Sequence, residues 1–137
     1  MLSVAAFLRD LGMADVPVSV LDKPGPLTEE ERALLTGQAI AGERLLRTMP
    51  QLRDAARVVR LAHEHWDGGG YPDGLEGEAI PLASRVLHAC AVWVALTSPR
   101  PWRAALDRSV ARDELRRMAG TQLDPAVVIL LLDLGLH

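Results

Sequence analysis

The sequence has one cysteine, one lysine and few aromatic residues, and each shortage excludes a class of protein. Cys90 has no partner for an intramolecular disulfide, so the chain suits a reducing compartment and we expect it in the cytoplasm. The single lysine, Lys23, stands in a Pro/Gly turn, which argues against a lysine nucleophile. Aromatic residues are 4% of the chain, so its core must be aliphatic.

Length and charge narrow the choice further. The chain has 137 residues, of which 49% are hydrophobic and 24% charged, with a formal net charge of −3. This composition predicts one globular domain over residues 1–137. The negative charge argues against a nucleic-acid polymer as partner, since such binding needs a concentrated positive surface. No apolar run reaches about 18 residues, so we expect no membrane partner.

Helical signals dominate the rest of the chain. We predict helices over residues 4–11, 28–49, 51–65 and 81–96, a fifth capped by Asp107 or Ser109 and ending at Gly120, and a sixth opening at Asp124-Pro125. Thr28 and Glu31 form a capping box at the start of the second. Residues 16–22 contain Pro17 and are predicted to be an extended connector. The Gly-rich residues 66–78 are predicted to be a loop.

Apolar periodicity gives the expected inner faces of two of these helices. The expected inward residues are Leu34, Leu35, Ile40, Leu45 and Leu46 in the second helix, and Ala55, Val58, Val59 and Ala62 in the third. The last helix is apolar almost all round, and such a helix needs neighbours on every side. We therefore expect a homodimer or a domain-swapped oligomer that covers the exposed apolar faces.

The most specific motif of the chain lies in residues 63–81. It consists of His63-Glu64, Trp66-Asp67-Gly68, Gly70-Tyr71-Pro72-Asp73-Gly74-Leu75 and Ile80-Pro81. Matching segments lie upstream at Asp10-Leu11-Gly12 and downstream at Ala95-Leu96-Thr97-Ser98 and Gly120-Thr121-Gln122. On these residues the chain resembles the HD-GYP family of phosphodiesterases, from about residue 7 to about residue 132.

The resemblance implies a fold and a chemistry. The fold is an all-α, HD-domain-like bundle of five or six helices with a long Gly-rich loop, here truncated at its beginning. The chemistry is cleavage of the phosphodiester of cyclic di-GMP or a related cyclic dinucleotide by a metal-bound hydroxide, with two or three metal ions neutralising charge on the phosphate.

Most of the metal-ligand positions that the resemblance implies carry other residue types here. The family's ligands fall on Arg9-Asp10, Gly37, Ala62-His63, Ala91 and Val94, and its phosphate-facing lysine falls on Met13. Asp10 and His63 are the two ligand types that remain. Because a metal ion needs about three to six ligands, we expect no resident cofactor, or a weakly held divalent transition metal at His63 and Asp10.

Several other residues are candidates for chemistry in such a pocket. His88 shares a helix face with Ala91, so it either joins His63 or Asp67 in a makeshift site or is a core-edge histidine. Cys90 is either a nucleophile with His63 or His88 as base, or a small buried apolar residue. We expect His63 to be hydrogen-bonded near the loop, and His65 to face solvent.

Two further groups are candidates for ligand binding. Arg85, Arg100 and Arg103 either hold a phosphate by bidentate contacts or pair with carboxylates. The resemblance implies that Gly70, Tyr71 and Pro72 contact a ligand or a partner signalling domain. The alternative is that this loop only packs over the helices, with Trp66 and Tyr71 as anchors.

Two functions from different classes follow. The first is a degenerate relative that no longer runs the family reaction and acts as a signalling, protein-interaction or ligand-sensing module, still binding a phosphorylated small molecule or a cyclic dinucleotide. The second is a residual or repurposed phosphoester hydrolase that uses His63, Asp10, Asp67, His88 and Cys90, with Arg85 on the phosphate.

Overall fold

The computed structural model describes residues 1–135, and within them it contains seven α-helices and no β-strand. The helices are α1 (Leu2–Leu8), α2 (Val18–Leu21), α3 (Glu29–Arg47), α4 (Arg53–Arg60), α5 (Leu82–Thr97), α6 (Arg108–Met118) and α7 (Pro125–Asp133). Short 3-10 helices cover Leu11–Asp15, Pro50–Leu52 and Gly77–Ala79. The predicted all-α class is confirmed, while the last two residues of the predicted domain lie outside the described residues.

The helix count exceeds the predicted five or six because residues 16–22 are not the extended connector that we expected. They contain the single turn of α2. Pro17 stands at the N-cap of this turn, with extended backbone angles, so its missing N–H removes no helical hydrogen bond. A proline interrupts a helix when it stands in the interior, but it is compatible with a helix when, like Pro17, it stands just before the first turn.

The N-terminus of α3 follows the sequence prediction, whereas the predicted inner face is confirmed at Leu46 and wrong at three other leucine and isoleucine positions. The capping box is present: Glu31 N donates to Thr28 Oγ1 at 3.2 Å, and Thr28 N donates to Glu31 Oε2 at 2.8 Å. Leu34, Ile40 and Leu45, which we expected to point inward, are exposed. The buried residues of α3 are Gln38, Ala39, Gly42 and Leu46.

A close backbone approach explains this inner face. A Cβ on Gly12 would lie 1.8 Å from the carbonyl oxygen of Gln38 and 2.9 Å from the amide nitrogen of Gly42. The 3-10 helix Leu11–Asp15 therefore rests backbone to backbone on α3, which only small residues on that face permit. The same contact fixes Arg9 and Asp10, at the end of α1, relative to α3.

The core has two parts that α5 joins. The first lies among α1, α3, α4 and α5 and contains Ala5, Leu46, Ala55, Ala56, Val58, Val59, Ala62 and Leu87. The second lies among α5, α6 and α7 and contains Ala89, Leu115, Leu123, Val127 and Val128. The predicted inward residues Ala55, Val58, Val59 and Ala62 are thus confirmed, and both parts are aliphatic.

Several apolar side chains remain on the surface. Phe7 on α1 is 90% exposed, and Ile129 and Leu130 on α7 are exposed as well, together with Leu134 just after it. α7 is apolar but has nine residues, and no helix in residues 1–135 is both long and apolar enough to cross a bilayer. The apolar character of α7 thus leaves exposed hydrophobic surface on the isolated chain.

Candidate functional site

A buried carboxylate holds the Gly-rich loop against the end of α4. Glu64 is 2% exposed, its Oε1 accepts a hydrogen bond from Asp73 N at 2.7 Å, and its Oε2 accepts one from Leu75 N at 2.9 Å. The Asp73 carboxylate in turn accepts hydrogen bonds from Nε and Nη2 of Arg60, at 3.0 and 2.6 Å. Residues 66–78 lack regular secondary structure apart from the start of the 3-10 helix Gly77–Ala79, yet they are tied to the helices at several points.

Gly70 brings this loop into direct contact with the segment that carries the histidines. A Cβ on Gly70 would lie 2.2 Å from the amide nitrogen of His65 and 2.5 Å from the carbonyl oxygen of His63. The next residue, Tyr71, donates its amide N–H to that same carbonyl at 3.2 Å. As a result the Tyr71 ring stacks on the His63 ring, with centroids 5.0 Å apart and planes 6° from parallel.

His63 is held as a neutral imidazole in a polar contact with α3. Its Nε2 lies 2.8 Å from Nε2 of the buried Gln38, which donates to it. Burial, together with the nearby guanidinium of Arg9, lowers the pKa of His63 to about 4. The nitrogen that a metal ion would need is therefore engaged by an amide N–H group.

His88 forms a second buried histidine site on the other side of Glu64. It is 8% exposed, its Nδ1 donates to the Glu64 carbonyl at 2.8 Å, and its Nε2 accepts from Gln122 Nε2 at 3.2 Å. Burial lowers the pKa of His88 to about 4. The His65 ring lies 5.5 Å from the His88 ring and is half-buried, so our expectation that His65 faces solvent was wrong.

Unlike His63 and His88, the side chain of Asp10 is largely exposed to solvent. The Asp10 side chain is 63% exposed, and its Oδ1 lies 3.5 Å from Nε of Arg9. This Arg9 nitrogen is buried and makes no hydrogen bond. A permanent cation thus stands beside the position where a metal pair would require a neutral or anionic ligand.

The residues present do not fit the bridged metal ions that the family resemblance implies. Within residues 1–135 no three His, Cys, Asp or Glu side chains converge in a way that would hold a metal ion. At Gly37, where the family resemblance implies a ligand, a Cβ would meet nothing within 4 Å. An open cavity of about 340 Å³ lies there, lined by Gly37, Ile40, Tyr71 and Pro72 among others.

Asp67 and Cys90 do not join the histidines. Asp67 is exposed, and its Oδ1 accepts the amide N–H of Gly69 at 2.9 Å, which stabilises a turn of the loop. Cys90 lies half-buried beside a cavity between α1 and α5, and burial raises the pKa of its thiol. Within the described part of the chain no histidine hydrogen-bonds to this thiol, so neither candidate base, His63 or His88, is in contact with Cys90.

Two of the three arginines that we considered as phosphate ligands, Arg85 and Arg103, hydrogen-bond within the domain. Arg85 Nε donates to the Ile80 carbonyl at 2.9 Å, its Nη1 pairs with Asp124 Oδ2 at 2.6 Å, and its guanidinium lies 5.7 Å from the Trp66 ring centroid. Arg103 donates to the carbonyls of Ala95 and Leu96, in the last turn of α5, and to the carbonyl of Ala104, which follows that helix. Arg100 is exposed and contacts Arg103 through backbone hydrogen bonds.

Arg85→Leu is expected to destabilise the domain by about 3 kcal/mol, because it leaves Asp124 as an uncompensated buried charge. The Asp124 side chain is 2% exposed, and its other oxygen caps α7 through Ala126 N. Urea unfolding measures the loss. The matched control is Arg117→Leu, which breaks an ion pair with Glu114 at the surface and should cost less than about 1 kcal/mol. Equal losses for both variants would contradict the assignment.

Comparison with known proteins identifies the family. The sequence profile of the HD domain family matches residues 1–127. The chain therefore belongs to the HD domain family, and the resemblance to the HD-GYP phosphodiesterases is confirmed.

Three relatives are named as phosphodiesterases of cyclic di-GMP or of 3'3'-cGAMP. A cyclic di-GMP phosphodiesterase of Vibrio cholerae is 40% identical over 131 residues, which cover 90% of this chain and 27% of the relative. The cyclic di-GMP phosphodiesterase response regulator RpfG of Xanthomonas campestris is 39% identical over 133 residues, covering 96% and 35%. A 3'3'-cGAMP-specific phosphodiesterase of V. cholerae is 35% identical over 121 residues, covering 88% and 26%. The chain spans about a quarter to a third of the length of these relatives.

A solved structure shows the same fold. The crystal structure of a V. cholerae phosphodiesterase specific for cyclic GMP-AMP superimposes with a TM-score of 0.73 and 21% identity, covering 97% of this chain and 37% of that one. The superposition covers helices from both parts of the core.

The sequence reasoning missed the two amides that hold the histidines. Gln38 immediately follows Gly37, where the resemblance implies a ligand, and Gln122 stands in the matched Gly-Thr-Gln segment. A usable signal existed for Gln38, since it shares a helix face with Gly42 and Leu46, four and eight residues later. No comparable signal pointed to Gln122, because its partner His88 lies 34 residues away.

Proposed function

We propose that this domain does not catalyse the phosphodiesterase reaction of its relatives and acts as a cytoplasmic ligand-sensing or protein-interaction module. One observation carries the proposal: His63, one of two surviving ligand types, has its Nε2 hydrogen-bonded to Gln38, while Asp10 is exposed beside Arg9. Two bridged cations need several converging donors. At these two positions metal ions would instead meet the amide of Gln38 and the guanidinium of Arg9.

The loop and the cavity beside it support a binding role. Glu64 and Gly70 fix the loop, and Tyr71 and Pro72 line the open cavity at Gly37. A rigid loop next to a preformed cavity is a common basis for small-molecule binding. The names of the relatives point to a cyclic dinucleotide as the ligand to test first, or to another phosphorylated small molecule.

A turnover assay tests the proposal. Purified protein is incubated with cyclic di-GMP and Mn²⁺, and the linear dinucleotide is followed by chromatography, with the V. cholerae cyclic di-GMP phosphodiesterase as positive control. We expect a rate at least about 1,000-fold below that of the relative and unaffected by Mn²⁺, because the ligand set that would activate water is absent. Metal-dependent turnover within tenfold of the relative would refute the proposal.

A residual hydrolase is the second candidate, and one feature favours it. His63, His65 and His88 lie close together in the fold, and His63 and His88 are neutral at pH 7 because burial lowers their pKa to about 4. Rates on a simple phosphodiester are compared among the wild type, His63→Ala, His88→Ala and Cys90→Ala. A drop of tenfold or more in a histidine variant supports this candidate, and equal rates in all four proteins dismiss it.

We also propose that the chain forms a homodimer or a domain-swapped oligomer through its exposed apolar side chains. Phe7, Ile129 and Leu130 are exposed on α1 and α7, and exposed apolar side chains favour association. Light scattering during size-exclusion chromatography gives the solution mass. We expect twice the mass of 14.9 kDa for the chain, or a higher multiple. A monomer at about 100 µM would contradict this expectation.

A further inference from the structure

A groove on the outer side of α4 concentrates positive charge away from the histidines. This arginine groove is lined by Arg47, Arg53, Arg57, Arg60, Leu61 and Leu75, and it encloses about 510 Å³. It shares no lining residue with the cavity at Gly37, nor does it include His63 or His88. Whatever function the histidine region has, the groove is a separate feature of the fold.

The groove has an excess of cations that the chain itself does not neutralise. Its four guanidinium groups face two carboxylates, Glu43 and Asp73, which leaves a formal charge of +2. Glu43 pairs with Arg60 at 2.7 Å and with Arg47 at 3.6 Å, and Asp73 pairs with Arg60 at 2.6 Å. The hydrogen bonds from these carboxylates raise the pKa of Arg60 above its usual value. Arg60 is thereby fixed as part of the groove floor.

Arg53 and Arg57 are the cations left over. They stand one turn apart on the same face of α4, where like charges repel. Within residues 1–135 neither side chain makes an ion pair or a hydrogen bond. Arg53 is also the first residue of α4, at the helix end that already carries partial positive charge. This arrangement costs stability in the free protein and becomes favourable when an anion binds.

The shape of the groove selects among anions. Its volume lies in the range of small-molecule sites, which is about 300–1,000 Å³. The half-buried Leu75, with the accessible edge of the buried Leu61, supplies an apolar surface next to the guanidinium groups. Guanidinium groups hold phosphate by paired N–H donors. An extended polyanion is disfavoured because the whole chain has a net charge of −3.

We propose that the arginine groove is a binding site for a small phosphorylated ligand that carries an apolar or aromatic moiety, the class to which nucleoside phosphates belong. Arg53 and Arg57 bind the phosphates, with Arg47 at the edge. The ring of the ligand lies on Leu61 and Leu75. The assignment does not depend on whether the histidine region has catalytic activity.

Calorimetric titration with three probes tests both halves of the proposed ligand. ADP carries phosphates and a ring, pyrophosphate carries phosphates alone, and adenosine carries the ring alone. We expect ADP to bind more tightly than pyrophosphate and at least tenfold more tightly than adenosine, with affinity falling as NaCl is raised. Adenosine binding as tightly as ADP, or no ADP binding at 5 mM, would overturn the proposal.

A pair of double variants assigns the site. Arg53→Gln/Arg57→Gln should weaken ADP binding at least tenfold. The matched control, Arg32→Gln/Arg108→Gln, removes the same charge from exposed helical positions outside the groove, and Arg108 is likewise the first residue of its helix. It should change ADP affinity less than twofold. Equal weakening by both pairs would mean unspecific attraction by net charge and would overturn the assignment.

Discussion

Gly70→Ala should destabilise the domain by about 3–5 kcal/mol, a large loss for a single methyl group. The added Cβ would lie 2.2 Å from the His65 amide nitrogen and 2.6 Å from the Glu64 carbonyl carbon. Both are backbone atoms, so the clash is relieved only by moving the loop away from the histidine segment. That movement also breaks the hydrogen bonds through which Glu64 holds the loop. Urea unfolding measures the free energy of unfolding directly.

The matched control is Gly37→Ala, which adds the same methyl group to open space within α3. It should stabilise the domain by up to about 1 kcal/mol, because alanine favours the helix over glycine. Opposite signs for the two variants are the expected result. If Gly70→Ala unfolds at the same urea concentration as the wild type, the close approach of the loop to the backbone of residues 63–65 is contradicted.

Acidification should destabilise the domain by about 4 kcal/mol between pH 7 and pH 5, about 2 kcal/mol for each of two histidines. His63 and His88 have pKa values of about 4 because burial disfavours their charged forms. In the unfolded chain a histidine has a pKa of about 6.5. The unfolded state therefore takes up protons first, so stability is complete above about pH 6.5 and is lost as the pH falls towards 4.

Urea unfolding at pH 7, 6 and 5 measures this loss. His63→Gln/His88→Gln removes both titrating groups, so its own stability should change by less than about 1 kcal/mol over the same range. The comparison uses the slope with pH rather than the absolute stability, which the substitutions also lower. A wild-type protein as stable at pH 5 as at pH 7 would show that the two imidazoles are not buried in neutral form.

Local signals in the sequence predicted the elements that depend on neighbouring residues. Thr28 and Glu31 are three residues apart, and Asp124 stands next to Pro125, so both helix starts are encoded within one turn. The Gly-rich loop was likewise predictable from composition. Its motif also identified the family, which explains why the all-α class was predicted correctly.

Contacts between distant segments explain what the sequence reasoning missed. Leu34 and Ile40 were expected inside because they are apolar, yet the backbone of Gly12 packs against Gln38 and Gly42 of α3, and Leu34 and Ile40 remain exposed. Helix α4 ends at Arg60 rather than at residue 65, because the backbone of His63 bonds to the loop instead. Neither contact has a signature in the local pattern.

The site was predictable in its residue types and not in its connections. His63 and Asp10 were predicted to be ligand types from their place in the segments that resemble the family. Their present partners, Gln38 and Arg9, become visible only when α1, α3 and the loop are brought together. The same holds for Arg85, whose partner Asp124 lies 39 residues away. The separation of two residues along the sequence does not show how close their side chains lie in the fold.

Metal analysis of the purified protein tests the central claim most directly. The protein is incubated with excess Mn²⁺ or Fe²⁺, desalted and measured by inductively coupled plasma mass spectrometry, with the V. cholerae cyclic di-GMP phosphodiesterase treated in parallel. Because Gln38 engages the His63 imidazole and Asp10 lies exposed beside Arg9, we expect less than about 0.1 metal ion per chain. Two retained ions per chain would contradict this account of the site.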